Sequence, residues 1–160
     1  MSNAETVDTG LRQLLGGVGD AATQVARRRS VRLAVDSAGK DLTEKVVFAV
    51  PAGAASGITI TSVKYVPSAS MTASDSLYET LTVKKYDAAG ANGATVASRT
   101  TKTTNGGGSG NWTAFVGVSL TITAANASVV SGGAVTFAYA KTSTGTDVPI
   151  GSLEIEYLEN

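Results

Sequence analysis

The sequence predicts an all-β chain folded as an antiparallel two-sheet sandwich, and three observations predict it. From Ser30 onward, apolar and polar residues alternate with a period of two in run after run. Clusters of Gly, Pro, Asn and Asp punctuate those runs at turn-like intervals. Ala, Gly, Ser, Thr and Val dominate the composition while charged residues make up only 16%, which suits many short strands better than helices with long charged faces. With 160 residues there is room for one packed domain and a short appendage, and no room for a second full domain.

The appendage, residues 1–30, comes first. Leu11, Leu14, Leu15, Val18, Ala22 and Val25 recur at helical spacing and would form one apolar stripe. Thr9 and Asp20 are placed to cap helical pieces. Gly16, Gly17 and Gly19 oppose them, each costing roughly 1 kcal/mol relative to Ala in a helix interior. The expectation is a partly helical arm that orders on meeting its own copies or another protein, with Leu11, Leu14, Leu15, Val18 and Val25 in the contact. Arg27, Arg28 and Arg29 close the arm, either as a solvated charge run before the first strand or as a contact for an acidic surface.

Residues 31–160 form the sandwich domain. Val31, Leu33 and Val35 alternate with polar or small neighbours, as do Val46, Phe48 and Val50 up to the stop at Pro51-Ala52-Gly53. Ile58 and Ile60 begin a third strand, and Val63 and Tyr65 fall on the opposite parity, so a bulge is expected near Ser62. Leu77, Leu81 and Val83 mark a fourth strand ending at Asp87-Ala88-Ala89-Gly90. Thr95 to Lys102 is weakly apolar and threonine-rich, the texture of an exposed edge strand, and leads into the glycine-rich loop at Gly106–Gly110.

Trp112, Ala114, Val116, Val118, Leu120 and Ile122 then share one parity, which predicts a single long strand with one buried face. Val135, Phe137 and Tyr139 follow the turn at Ser131-Gly132-Gly133, and Leu153, Ile155 and Tyr157 close the chain with Glu154 and Glu156 on the other face. These candidates number roughly eight, which would leave a large apolar face wet in a single sheet; two sheets bury it. A jelly roll is the leading topology and an immunoglobulin-like sandwich the alternative, because parity does not order strands.

The composition excludes several function classes. Formal net charge is zero, so no global field holds a polyanion or an anionic membrane, and neither nucleic acid nor membrane is expected as a partner. Histidine and cysteine are both absent, which removes the commonest general base, the usual zinc ligands and the Ser-His and Cys-His nucleophile pairs. No apolar run reaches the ~20 residues needed to cross a bilayer, and no secretory signal order is evident, so a soluble protein made in a cytoplasm is expected.

No motif carries chemistry. Gly16-Gly17-Val18-Gly19 lacks the Lys-Ser or Lys-Thr of a nucleotide loop, and Gly106–Gly110 leads into a strand instead of a helix. Asp75, Glu79, Asp87 and Asp147 could gather round calcium only if loops brought them together, and acids so placed usually form turns. Glu154 and Glu156 share one strand face, whereas a glycosidase sets its acids across a cleft. Asn111-Trp112-Thr113 and Asn126-Ala127-Ser128 match the glycosylation pattern, but without a secretory signal they carry no weight. Trp112 falls with the buried set, while Tyr78 and Tyr86 lie on the parity opposite Leu81 and Val83 and form a possible exposed binding face. No enzyme activity, cofactor or metal is expected.

Four stretches carry a family resemblance: Val50-Pro51-Ala52-Gly53; Leu81-Thr82-Val83-Lys84-Lys85-Tyr86-Asp87-Ala88-Ala89-Gly90; Gly110-Asn111-Trp112-Thr113-Ala114-Phe115; and Ser152-Leu153-Glu154-Ile155-Glu156-Tyr157. In texture, from Val31 to Asn160, the chain resembles the small jelly-roll head decoration proteins of tailed bacteriophages, capsid cement or head-fibre proteins. The resemblance implies a structural virion protein on the capsid surface. It would bind the major capsid protein, often as a homotrimer at threefold points, and brace the shell. The arm, including Arg27, Arg28 and Arg29, would then grip the capsid or neighbouring copies. The alternative from a different class is a carbohydrate- or receptor-binding module of a phage tail or fibre, with Tyr78, Tyr86 and the Gly106–Gly110 loop as its candidate groove.

Overall fold

Alternating side chains on each strand need a covered face, and two sheets supply it for each other. A computed structural model describes residues 27–35, 42–52, 56–103, 110–142 and 147–160. The contact residues assigned to the arm, Leu11, Leu14, Leu15, Val18 and Val25, lie outside them, as do residues 104–109 of the glycine-rich loop.

Among the described residues ten strands follow in chain order: β1 (Arg27–Val35), β2 (Leu42–Ala49), β3 (Ile58–Pro67), β4 (Glu79–Tyr86), β5 (Ala94–Thr100), β6 (Val118–Ser119), β7 (Thr121–Ile122), β8 (Ser128–Val129), β9 (Ala134–Lys141) and β10 (Gly151–Glu159). They form two antiparallel sheets. The first has the order β1-β10-β3-β6, with β8 also on β3; the second has the order β2-β9-β4-β5-β7. Among the described residues only β4 and β5 are consecutive strands paired within one sheet; every other described connection passes from one sheet to the other.

The inward parity of each strand builds one core. Ile58, Ile60, Val63 and Tyr65 of β3 and Leu153 and Ile155 of β10 face Leu81 and Val83 of β4 and Val135, Phe137 and Tyr139 of β9, all buried. The parity change in β3 has the expected cause: β10 pairs Glu156 with Ser62 but Tyr157 with Ile60, so Thr61 is the extra residue of a bulge. At the turn before β9, Gly132 has φ +75° and its N–H bonds the carbonyl of Val50, a backbone conformation that suits glycine.

Four expectations are corrected. The parity run from Trp112 to Ile122 is not one strand. Trp112 bridges Met71, and β6 pairs with β3. β7 then pairs with β5, and β8 returns to β3. The segment Val118–Val129 thus runs along the side of the sandwich and bonds each sheet in turn, with Leu120 N–H on the carbonyl of Val63 and Thr123 N–H on that of Val96. The period of two survives the change of sheet because Val118, Leu120 and Ile122 pack on the core while Ser119 and Thr121 are exposed.

β5 is not an exposed edge: its pairing with β4 slips between Val83 and Lys84, which leaves Val96 and its neighbour Ala97 both fully buried. Val46 is 59% exposed, and Val47 and Phe48 pack against the core instead, because the pairing with β9 slips between Val46 and Phe48. Leu77 stands outside β4, in a turn where its N–H bonds the Ser74 hydroxyl at 3.0 Å.

Candidate functional site: an apolar corner at the loop end

The arginine triplet stands inside β1, not ahead of it. Arg27, Arg28 and Arg29 pair with Glu159, Leu158 and Tyr157 of β10, and the Arg29 guanidinium lies 3.3 Å from the Glu159 carboxylate. All three arginines are exposed.

Tyr78 and Tyr86 do not come together. Tyr78 immediately precedes β4 and Tyr86 ends it, a separation of about 26 Å at the usual strand rise. The Lys102 ammonium sits 4.2 Å above the Tyr78 ring. Bonding to Thr142 and then to Lys102 lowers the Tyr78 phenol below its ordinary value. The Tyr86 hydroxyl donates to the Glu44 carboxylate at 2.6 Å. That bond holds Glu44 below the usual carboxylate range and pushes the Tyr86 phenol up.

The acids are likewise separated by function. Asp87 accepts from the N–H groups of Ala89 and Ala91 and from the Asn92 amide, building the β4–β5 turn. Asp75 accepts from Thr103 N–H, and Asp147 pairs with Lys141. Among the described residues no three His, Cys, Asp or Glu side chains group as metal ligands. Glu154 bonds Arg32 across the outer face of β1 and β10.

The feature that sequence reasoning missed is a corner where β3 ends. Pro67 O accepts from Phe115 N–H at 2.8 Å, and Ser68 N–H donates to Ile150 O at 2.8 Å. Phe115 and Ile150 therefore flank the same corner. Phe115 is 77% exposed, Val116 54% and Ile150 45%. Phe115 also has φ +63°, a left-handed conformation that is uncommon for a bulky side chain and costs on the order of 1 kcal/mol. Parity could not find this corner, since Phe115 sits in a turn, but an aromatic residue between Ala114 and Val116 was a visible signal.

The corner is braced from beneath. Ala114 N–H donates to the Ser70 hydroxyl at 3.0 Å and Ala73 N–H to the Asn111 side-chain oxygen at 2.7 Å, while Met71 and Trp112 exchange two backbone bonds of 2.9 Å. Buried Trp112 leans on Tyr65 at 5.9 Å, and Tyr65 stacks on Phe137 at 6.2 Å. The Tyr65 hydroxyl donates to Pro149 O at 2.6 Å. Burial pushes this phenol up, and Tyr139 and Glu79 add to the effect. Glu79, fully buried, accepts from Val148 N–H at 3.0 Å and exchanges backbone and hydroxyl bonds with Thr101. Core groups thus fix the 148–150 loop that presents Ile150.

Elsewhere a groove of roughly 380 Å³ runs over the outer face of the β2-β9-β4 sheet, with Ala138 and Ala140 among its lining and Thr43, Thr80, Thr82, Glu44 and Lys84 around it. No protein-family model, curated protein or solved structure matches this chain.

Proposed function

We propose that this chain is a structural virion protein, a decoration or cement protein that docks on the outer surface of an assembled tailed-phage capsid, binds the major capsid protein and stabilises the shell as a homotrimer. The observation that carries the reading is the braced apolar corner: Phe115, Val116 and Ile150 are exposed, yet their backbones are pinned by hydrogen bonds to β3 and to the loops beside it. An apolar surface held rigid and strained toward solvent is what a docking surface needs, because little ordering entropy remains to be lost on binding. The strand orders β1-β10-β3-β6 and β2-β9-β4-β5 support jelly-roll wiring, in which paired strands come from distant parts of the chain. In this reading Leu11, Leu14, Leu15, Val18, Val25 and Arg27–Arg29 supply a second grip on capsid or neighbouring copies.

The test is to add purified protein to undecorated heads and image them. Saturable occupancy at symmetric positions is expected, together with weaker occupancy by Phe115→Ser. An unchanged head surface overturns the proposal. A chain beginning at Arg27 keeps β1 intact; if it still trimerises and decorates heads with full affinity, the role given to Leu11, Leu14, Leu15, Val18 and Val25 is wrong.

The groove over Ala138 and Ala140 favours one other reading, a carbohydrate-binding module, since threonine hydroxyls, the Glu44 carboxylate and the Lys84 ammonium surround it. A glycan-array screen separates the two, and binding that Thr82→Val abolishes would favour the groove.

A further inference from the structure

Both sheets are closed on the side where Val118–Val129 runs, so their other edges decide what can add to the fold. β2 is an irregular edge, with slips in its pairing to β9 after Leu42 and after Val46. Bulges of this kind discourage a new strand from joining. β1 is different. It is outermost in its sheet, and its outer edge pairs with no strand among the described residues. Its register with β10 is unbroken from Arg27–Glu159 to Val35–Gly151. Nine residues of regular ladder leave a row of backbone N–H and C=O groups pointing away from the sheet.

The edge is also basic. β1 contains Arg27, Arg28, Arg29 and Arg32 and no acid. Arg29 and Arg32 are drawn back onto Glu159 and Glu154 of β10, while Arg27 and Arg28 stand exposed at the start of the strand. A second copy would answer the ladder but not the charge: paired antiparallel over its whole length, another β1 would set Arg27, Arg28 and Arg29 against Val35, Ala34 and Leu33, with no acid in either strand. A nucleic acid would answer the charge but not the ladder.

We propose that the free edge of β1 binds an extended, acidic segment of another protein by strand addition. Backbone pairing supplies affinity, and Arg27 and Arg28 select Asp or Glu on the incoming strand. This goes beyond the capsid reading and does not rest on it, since a peptide reads the edge whether or not heads bind the protein.

The probe is a synthetic peptide of about nine residues, matched to the length of β1, that alternates glutamate and valine. Mixed with the full chain, it should shift and protect backbone amides of β1 alone in NMR spectra. Two further peptides, N-methylated on one or the other alternate set of amides, separate pairing from charge: one should lose binding and the other keep it, because only one set can face β1. Arg27→Glu with Arg28→Glu, both exposed positions, should weaken the glutamate peptide about tenfold. Absence of binding overturns the proposal, as does equal binding of both methylated peptides. If a single-stranded oligonucleotide shifts the same amides equally well, the edge is a polyanion site and the proposal fails.

Discussion

Phe115 combines a left-handed backbone with an aromatic ring in water, two features that stability alone does not reward. Phe115→Gly relieves the strain but adds backbone freedom to the unfolded chain, two effects of similar size. The expected change in stability is within about 1 kcal/mol by urea denaturation, while head occupancy falls. A large loss of stability with binding intact would make Phe115 a packing residue. The Glu44–Tyr86 bond sets a pH window. The carboxyl is held below its ordinary 4.5 and the phenol above its ordinary 10. Its contribution is therefore complete between those values. It is lost as pH falls through the lowered Glu44 value, and again as pH rises through the raised Tyr86 value. The stability difference between the native chain and Tyr86→Phe should form a plateau at neutral pH and shrink at both ends; a pH-independent difference contradicts this. The outward parity of Tyr86 was readable in the sequence. Its partner was not, because Glu44 lies 42 positions away and meets it through β9, which stands between their strands.

Elements were legible in the long interior strands, where the inward residues are large and apolar. β3, β4, β9 and β10 meet that condition, and their inward residues from Ile58 to Ile155 are those that parity assigned. Bulges made the difference elsewhere. A slip of one residue in β2 or β5 turns adjacent side chains to the same face, and nothing in Val46-Val47-Phe48 or Thr95-Val96-Ala97 announces which residue is the extra one. The segment Val118–Val129 misled for another reason. Its alternation is that of a strand, but its partners alternate between two sheets, so it acts as a seam. Leu120 is the buried residue at the crossing, between β6 and β7. Leu120→Ala should therefore cost about 3 kcal/mol, the usual scale for a leucine that leaves a cavity, read as a fall in the urea midpoint. A cost under about 1 kcal/mol would mean that the seam is peripheral and the sheets hold without it.

At the scale of the whole molecule the sandwich is asymmetric. One side is sewn shut by Val118–Val129, and the corner that carries Phe115 and Ile150 is tied to the same β3 strand that the seam grips. The opposite side ends in β1 and β2, each with a single strand neighbour among the described residues, and most of their side chains are exposed. Opening β1 breaks one ladder and uncovers little apolar surface, whereas opening β3 breaks its ladder to β10 together with those to β6 and β8 and exposes Ile58, Ile60, Val63 and Tyr65. The two sides should then open with different free energies. Native-state hydrogen exchange should find β1 and β2 amides exchanging through local opening that urea hardly affects. Amides of β3 and β4, and those of β10 and β9 that bond to them, should exchange only through global unfolding, with the full urea dependence. This order matters to both proposals, since a docking corner must stay rigid while an edge that accepts a strand gains from readiness to adjust. If β1 amides proved as protected as those of β3, the edge would already be covered in solution, and a partner strand would have nowhere to pair.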